Sequence, residues 1–348
     1  MPDNILILHS PLAADAPADE LDVLQQAGFF ADALSNIGYT STVFAFPYDL
    51  QVLKKLVLKT KPVLVVNLVE TLFADGRMVH TAPFVLEHLG VPYTGCNAHA
   101  MYTSSHKLLS KQLMRLGGVK TPSYYTYQDL CASQTEELPG TFLLKSIWEH
   151  ASFGLDESKP LLFFTRDQLL ERFHQEANPS AFFAEQYIHG REFNLSILGG
   201  KNGPMVLPLA EMRFNFPEDK PHILGYKAKW EEDSFEYKNT CRSFSFDPQD
   251  QPLLDHLKEI ALQCWNIFEL KGYARVDFRV DRKGNIFVLE INANPCISPD
   301  SGFVAATRQA GISSEQVVRS ILEDTGVRGL LQTGKKQKQK QRTIISIH

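Results

Sequence analysis

The side chains best suited to chemistry lie in one segment near the C-terminus, VLEINANPCIS. Glu290, Asn292 and Asn294 occupy every second position of an otherwise apolar strand, so their side chains share one face. The preceding segment, ARVDFRVD, also alternates, and a turn at residues 282–285 would close a hairpin that places Asp277 opposite Glu290. Two carboxylates directly across a ladder lie only about 5 Å apart and repel each other. The pairing therefore implies that a cation lies between them.

A divalent cation with oxygen ligands would satisfy this arrangement. Mg²⁺ prefers carboxylate, carbonyl and phosphate oxygens, and Asp277, Glu290 and Asn292 offer three oxygen ligands on one face. Mn²⁺ is the alternative metal. The same register places Ile286 and Val288 on the face that carries Glu290. The other interpretation is an ordinary hairpin whose charged face is turned toward water.

Two further segments carry lysines that would suit a phosphate-binding site. Lys107 and Lys111 stand four residues apart on a predicted helix, where like charges repel unless an anion or water relieves them. Lys145 ends an apolar strand and precedes small residues at 151–154, which suits a phosphate approached by backbone N–H groups. A solvated helix face is the simpler explanation of the first pair when that helix is considered alone.

The elements that must position these residues follow two patterns. Over about residues 1–100, the apolar strands NILILHS, STVFAF, PVLVVNLV and PYTG alternate with helical stretches, which predicts a parallel sheet. From TFLLKSI onward, longer strands mix with helices, with hairpin-like joints at His189-Gly190 and at residues 282–285. The second pattern is typical of an α+β arrangement.

Composition excludes several classes of protein. The 348 residues are 44% hydrophobic and 22% charged, as in a globular protein of two or three domains. The net charge of −5 becomes −10 without the five basic residues near the C-terminus, so a broad nucleic-acid interface is not expected. The sequence begins with no signal peptide and contains no stretch of about 20 apolar residues, so we expect a cytoplasmic protein that does not bind membranes. Five cysteines without a C-x-x-C pair predict free thiols.

Taken in order, the motifs resemble those of the ATP-grasp superfamily and, within it, the D-alanine–D-alanine ligase family. The resemblance runs from about residue 60 to 310, through VNLVE, LEHLGVPYTGCNAHA, HKLLSKQLM, GGVKTP, LLKSIWEHASFGL, AEQYIHGREF, YKAKW, ARVDFRVD and LEINANP. It implies an α/β, Rossmann-like N-terminal substrate domain at 1–100. A two-lobed α+β ATP-grasp fold follows, with a central lobe at 101–188 and a C-terminal lobe at 189–330. The low-complexity basic end, 331–348, is expected to be disordered.

The resemblance also implies how ATP would be bound. Lysines would hold the phosphates, one of them reaching in from a lid, and residues 151–154 would form a mobile loop over the γ-phosphate. A strand beginning at Glu185 would read adenine through its backbone, and Glu192 would bind the ribose hydroxyls. The implied nucleotide-binding residues are Lys107, Lys145, Ala151, Ser152, Glu185, Gln186, Tyr187, Ile188, Glu192 and Lys229.

The implied reaction is an ATP-driven ligation of a carboxylate to an amine through an acylphosphate. Asp277, Glu290 and Asn292 match the family's magnesium ligands, and Arg275 matches the arginine that stabilises the transition state. Two further positions concern the substrates. Glu20 would hold the amine of the first substrate, and Ser301 would bind the carboxylate of the second, either as well as or instead of capping a helix.

Several positions depart from the family pattern. Ala151 replaces a serine, Trp230 a tyrosine and Cys296 a glycine, all on the substrate side, and His106 replaces an aspartate. These departures favour a ligase whose substrates are other amino acids or small peptides. The alternatives are a genuine D-alanine–D-alanine ligase of cell-wall synthesis and a non-catalytic ATP-binding regulatory module. The resemblance also suggests a homodimer, and the irregular polar stretch around Lys229 predicts a loop that closes on the nucleotide.

Overall fold

A computed structural model of the protein describes most of the chain. The described residues are 4–13, 15–73, 75–133, 136–148, 161–217, 220–327 and 330. The predicted phosphate loop at 151–154, the basic end at 331–348 and the Trp230 side chain lie outside this description. No helix in the described ranges combines the length and the apolar character needed to cross a membrane.

The N-terminal part forms a three-stranded parallel sheet. Its elements are β1 (Asn4–His9), α1 (Ala18–Asn36), β2 (Thr40–Ala45), α2 (Leu50–Thr60), β3 (Leu64–Leu68) and α3 (Thr81–His88). The strand order is β2-β1-β3, and the apolar runs of β1 and β3 are almost completely buried, as expected of parallel strands covered by helices. The predicted parallel sheet is confirmed. The PYTG segment forms no full strand, because only Tyr93 bridges to Val65 of β3.

The middle of the chain forms a four-stranded antiparallel sheet, preceded by two helices. The elements are α4 (Ala98–Ser105), α5 (Lys107–Leu116), β4 (Tyr124–Thr126), α6 (Tyr127–Ala132), β5 (Glu137–Ser146), β6 (Phe163–Thr165), α7 (Arg166–His174) and β7 (Phe182–Gln186). The strand order is β4-β7-β5-β6. Phe142, Phe163 and Phe173 are buried between the sheet and the helices α6 and α7, so this unit has its own apolar core.

The C-terminal part forms a six-stranded antiparallel sheet. Its strands are β8 (Gly190–Leu198), β9 (Met205–Val206), β10 (Ala210–Phe214), β11 (Thr240–Ser243), β12 (Tyr273–Asp281) and β13 (Ile286–Asn292). Its helices are α8 (Tyr226–Trp230), α9 (Phe235–Lys238), α10 (Gln251–Ile267), α11 (Gly302–Gln309) and α12 (Ser314–Asp324). The strand order is β11-β10-β8-β12-β13, with β9 added to β8. Helix α10 covers one face through Leu257, Ala261 and Cys264; polar side chains occupy the other face.

The joint at His189-Gly190 is not a hairpin, contrary to the prediction. It carries the chain from β7 in the four-stranded sheet to β8 in the six-stranded sheet. Gly190 has a φ of 155°, and a Cβ atom there would collide with the carbonyl oxygen of Val280. Only glycine permits this close approach of two backbones. The tight turn seen in the sequence therefore marks a passage between sheets.

The hairpin of β12 and β13 confirms the predicted pairing where the charged residues lie. Asp277 is opposite Glu290, and the register shifts by one residue immediately beyond Asp277. Leu289 is the additional residue of this bulge. The prediction that Ile286 and Val288 share the face of Glu290 is therefore wrong, because a one-residue shift turns the side chains to the other face. Both are buried in the apolar core.

Two smaller predictions have different outcomes. The stretch around Lys229 is not an irregular loop, because it contains the short helices α8 and α9. Propensity is a poor guide to helices this short, since most of their stability comes from packing. All five cysteines are free thiols, as predicted.

Candidate active site

One cavity of about 890 Å³ brings the predicted site residues together. It is lined by residues of the two antiparallel sheets, of the segments that follow β1 and β3, and of the helices α1, α4, α5, α8, α9 and α11. The predicted site residues that line it are Glu20, Lys107, Lys145, Glu185, Gln186, Tyr187, Ile188, Glu192, Lys229, Arg275, Asp277, Glu290, Asn292 and Ser301. The two remaining candidates, Ala151 and Ser152, lie outside the described residues.

The carboxylate of Asp277 is held on the cavity face of β12. Arg275 donates from Nε to Oδ1 at 2.7 Å and from Nη2 to Oδ2 at 2.8 Å. Asn194, which lies beside Asp277 on β8, donates from Nδ2 to Oδ1 at 2.8 Å. These three bonds fix the carboxylate plane and leave one lone pair of Oδ2 free to bind a further group. Sequence reasoning missed Asn194, although its place two residues after Glu192 on an alternating strand predicts the same face.

The donor set around Asp277 suits a hard divalent cation. Glu290 lies directly opposite, and Asn292 lies opposite Arg275 two residues along the same strand. The described residues include no cluster of three or more His, Cys, Asp and Glu side chains close enough to hold a metal. The candidate metal ligands from the protein are therefore the two carboxylates of Asp277 and Glu290 and the carboxamide of Asn292. Mg²⁺ commonly binds to few protein groups and completes its octahedron with phosphate oxygens and water, so these residues fit it.

Glu185 neutralises two lysines beneath the cavity. Its Oε1 lies 2.5 Å from Nζ of Lys111, and its Oε2 accepts a 2.8 Å hydrogen bond from Nζ of Lys145. Lys111 also donates to Oγ1 of Thr121 at 2.8 Å. Lys111 and Lys107 are both buried, so the solvated helix face is excluded. Glu185 was predicted only as the start of the strand that binds adenine through its backbone. Its side chain is also the anion that the spacing of Lys107 and Lys111 predicted.

The electrostatics of this cluster favour the charged forms of Glu185 and Lys145, whereas burial lowers the pKa of Lys111 despite the attraction of Glu185. Burial alone would raise the pKa of Glu185, but Lys111 and Lys145 outweigh it and lower that pKa. Burial alone would lower the pKa of Lys145, but Glu185 and Glu290 outweigh it and raise that pKa. With 18% of its side chain exposed, Lys145 thus presents a fixed ammonium group to the cavity.

A second group of cavity-lining side chains around Glu192 combines aromatic and charged groups. Arg279 lies 2.7 Å from Glu192, measured from Nη2 to Oε2, and both side chains are buried. The guanidinium also stands over the rings of Tyr187, at 5.5 Å, and Phe214, at 5.7 Å. Burial raises the pKa of Glu192 despite the attraction of Arg279. Arg279 was missed as a site residue, although its alternation with Arg275 and Asp277 places it on the cavity face.

Acidic and amide side chains line the cavity beside Glu20. Gln26 donates from Nε2 to Asp22 at 3.2 Å and to Glu70 at 3.0 Å. Asp22 in turn accepts a 2.9 Å hydrogen bond from the thiol of Cys296. Asp22 and Gln26 were not predicted; their i,i+4 spacing, on the helix that carries Glu20, was the available signal. This network links α1 to the segment that follows β13.

The segment after β13 leads to the predicted carboxylate site. The Cys296 thiol lies 2.9 Å from Oγ of Ser298, and burial, with Asp22, raises the pKa of that thiol. Ser298 donates to Oδ1 of Asp300 at 2.9 Å. Ser301 accepts a 3.2 Å hydrogen bond from the backbone N–H of Val304, so it is the N-cap of α11. Its role in binding a substrate stays a prediction.

The chain is similar to known proteins along most of its length. A family model described as D-ala D-ala ligase C-terminus matches residues 128–323. An uncharacterized protein, y4sG, of Sinorhizobium fredii is 32% identical, covering 75% of this chain and 74% of its own. The D-alanine–D-alanine ligase of Pseudomonas entomophila is 28% identical, covering 69% of this chain and 70% of its own.

Solved structures support the same fold. The D-alanine–D-alanine ligase of Bacillus anthracis complexed with ATP aligns with a TM-score of 0.67 at 19% identity, covering 96% of this chain and 99% of its own. The D-alanyl-alanine synthetase A of Vibrio cholerae aligns with a TM-score of 0.69 at 16% identity, covering 93% and 99%. The family model spans more than half of the chain. The chain therefore belongs to the D-alanine–D-alanine ligase family of ATP-grasp enzymes, ATP-dependent ligases that form C–N bonds.

Proposed function

We propose that this enzyme joins the carboxylate of one amino acid or small peptide to the amine of another through an acylphosphate, and that its preferred substrates differ from D-alanine. The observation that carries the proposal is the distribution of charge in the 890 Å³ cavity. Lysines, the paired carboxylates of the hairpin and the acidic network near Glu20 all line this one cavity. The lysines would bind phosphates, the paired carboxylates would bind a metal, and the acidic network would bind a substrate amine.

ATP would occupy the part of the cavity between the two antiparallel sheets. Lys107, Lys145 and Lys229 would contact its phosphates, and the backbone of Tyr187 and Ile188 would bind adenine. The ion pair with Arg279 holds Glu192 at the cavity wall, where its carboxylate could accept hydrogen bonds from ribose hydroxyls. Lys145 is held by Glu185 before any ligand binds, as preorganised stabilisation of transferring phosphate requires.

Asp277, Glu290 and Asn292 would hold Mg²⁺, with Mn²⁺ as the alternative. When bound, the metal supplies positive charge that neutralises the phosphate oxygens. Arg275 and Asn194 hold the carboxylate of Asp277 in place in the metal-free protein. Because two hydrogen bonds to Asp277 use only two of the five N–H groups of Arg275, the guanidinium can still donate to a substrate.

The reaction would proceed in two displacements. A carboxylate oxygen of the first substrate attacks the γ-phosphorus of ATP, breaking the bond to the bridging oxygen and releasing ADP. The amine nitrogen of the second substrate then attacks the carbonyl carbon, and Arg275 donates to the resulting oxyanion. Collapse of this tetrahedral intermediate expels phosphate, and the nitrogen loses a proton as the amide forms.

The proposal of altered substrates rests on the acidic end of the cavity. Asp22 and Glu70 both bind Gln26, and Asp22 also binds Cys296, where the family pattern has a glycine. These contacts make the wall around Glu20 bulkier and more polar than a site for a methyl side chain needs. D-Alanine is the second candidate substrate, because several relatives, including that of Pseudomonas entomophila, are D-alanine–D-alanine ligases.

A substrate screen tests the proposed function. Amino acids and dipeptides of both configurations would be added to enzyme, ATP and Mg²⁺, and phosphate release would be measured beside mass detection of the condensed product. We expect release to require at least one added substrate and to match product formation. Release that no member of the panel stimulates would contradict the proposal.

Three further properties are proposed on the basis of the family. The division into domains at 1–100, 101–188 and 189–330 is supported by the sheets, since each of the three lies within one of these ranges. A homodimer and a cytoplasmic location rest on the family alone. Light scattering coupled to size-exclusion chromatography tests the dimer, and fractionation of cells tests the location.

A further inference from the structure

Arg279 connects three separate segments of the chain through one guanidinium group. Its Nη1 donates to the carbonyl oxygen of Gly190 at 3.2 Å, and its Nη2 donates to the carbonyl oxygen of His222. Nη2 also lies 2.7 Å from Oε2 of Glu192, which is directly opposite on β8. One buried side chain thereby joins the passage between the two antiparallel sheets, strand β8 and the segment that follows β10.

His222 begins the stretch of chain that leads to Lys229. Residues 222–229, termed the lysine segment here, lie between β10 and β11, and the second half belongs to α8. The backbone N–H of His222 donates to the hydroxyl of Tyr187 at 3.0 Å, and its ring stacks on Phe214 with centroids 5.4 Å apart. Lys229 lines the cavity at the other end of the segment. The contacts of His222 therefore anchor the segment that carries Lys229.

Stability alone does not account for the buried pair of Arg279 and Glu192. Burial of two charges costs free energy, and well-packed apolar residues can often replace such a pair without loss of stability. Burial raises the pKa of Glu192 even though Arg279 acts to lower it, so the cost of burial is only partly offset. A guanidinium, however, carries five N–H groups in a fixed fork. One arginine can therefore bind a carboxylate and two carbonyl oxygens at once.

We propose, resting on the proposed function, that Arg279 couples recognition of the ribose to placement of Lys229. Its ion pair holds the Glu192 carboxylate where ribose hydroxyls can donate to it. Its bond to the carbonyl of His222 holds the start of the lysine segment against the same wall of the cavity. Because Arg279 acts through Glu192 and His222, it is a positioning residue of the reaction.

Two variants separate this coupling from simple neutralisation of Glu192. Glu192→Gln removes the carboxylate but keeps the bond from Arg279 to His222, whereas Arg279→Met removes both contacts. Calorimetry with Mg²⁺ would compare the affinities for ADP and for 2′,3′-dideoxy-ADP. The wild type should prefer ADP by about tenfold or more, since hydrogen bonds to a carboxylate are charge-assisted. Both variants should lose most of this preference.

Hydrogen–deuterium exchange of the lysine segment, with ADP and Mg²⁺ bound, provides the deciding measurement. Arg279→Met should raise amide exchange of residues 222–229 by about tenfold or more, and Glu192→Gln should leave it unchanged. Amides of the buried face of α10 should exchange as in the wild type in both variants, which shows that the fold is retained. Arg279→Lys, which keeps the charge but not the fork, should retain part of the ADP preference while exchange of the segment stays raised.

A matched control comes from the same sheet. Arg191 binds Glu211 and Asp250 outside the cavity, so Arg191→Met should leave both the ADP preference and the exchange unchanged. The inference is overturned if Arg279→Met and Glu192→Gln raise exchange alike, if neither does, or if wild-type protein binds both nucleotides equally. A substrate screen without stimulated phosphate release, combined with the expected exchange and ADP preference, would contradict the ligase function and support this inference.

Discussion

Lys111 and Glu185 form a buried ion pair, with 2.5 Å between Nζ and Oε1 and side chains only 1% and 2% exposed. Because Lys145 binds the other carboxylate oxygen, removing Glu185 leaves two ammonium groups without their anion. Glu185→Gln should lower the free energy of unfolding by about 3–5 kcal/mol. Lys111→Met should lower it less, since Glu185 keeps one partner. Urea unfolding of both variants measures the two losses. A larger loss for Lys111→Met than for Glu185→Gln would contradict this account.

The pH dependence of the same free energy provides a second check. The pKa of Glu185 is lowered in the folded protein, so the unfolded state binds more protons between the folded pKa and the ordinary value of about 4.3. The contribution of Glu185 is therefore present above about pH 4.3 and is lost as the pH falls through the folded pKa. The difference in unfolding free energy between wild type and Glu185→Gln should shrink from neutral pH toward pH 3. A difference independent of pH would contradict this account.

Glu290→Gln should abolish ATP turnover and leave the fold intact. The change removes one of two facing carboxylates, so it weakens metal binding and relieves repulsion in the metal-free protein. Phosphate release and the melting temperature are the two measurements. Glu259→Gln, on the exposed side of α10, is the matched control and should change neither. Normal turnover of the Glu290 variant would show that the metal is held elsewhere.

Lys229→Ala should slow phosphoryl transfer far more than it weakens binding of ADP. Lys229 lines the cavity, and burial lowers its pKa despite the attraction of Glu290. A lysine that meets charge on the transferred phosphate stabilises the transition state more than the bound product. Lys227→Ala removes a charge from the same helix but outside the cavity, and should affect neither step. Equal losses in single-turnover rate and in ADP affinity would exclude this role.

D-Alanine should be a poor substrate if the proposed function holds. The proposal places the first substrate beside the acidic network near Glu20. The family pattern also has a serine and a tyrosine where this sequence has Ala151 and Trp230, and tryptophan cannot accept a hydrogen bond. Steady-state kinetics should give a kcat/KM for D-alanine below the ordinary enzyme range of about 10⁴ M⁻¹s⁻¹, and a higher value for a bulkier acyl donor. Efficient turnover of D-alanine alone would mean that these replacements are neutral.

Sequence patterns predicted those parts of the site that depend on local alternation. The pairing of Asp277 with Glu290 follows from a period of two along both strands and from the position of the turn. The same rule failed immediately beyond this pair, because nothing in the apolar run IFVLEI marks Leu289 as the bulge. The position of a bulge depends on packing between the strands. In a run of apolar residues, the sequence does not show which residue is the extra one.

Contacts between distant segments were the other part that the sequence did not reveal. The i,i+4 spacing of Lys107 and Lys111 predicted an anion or water nearby, but only the fold brings Glu185 of β7 to Lys111 of α5.

Transfer of oxygen from the acyl donor to phosphate tests the central claim most directly. The best acyl donor of the substrate screen would be labelled with ¹⁸O in its carboxylate and incubated with the amine donor, ATP and Mg²⁺. If the carboxylate attacks the γ-phosphorus, the C–O bond of the acylphosphate breaks during amide formation, and the released phosphate carries the label. Mass spectrometry of the phosphate should show one ¹⁸O atom for each amide formed. Unlabelled phosphate would show that water, and not the carboxylate, accepts the phosphoryl group, and would contradict the proposed ligation.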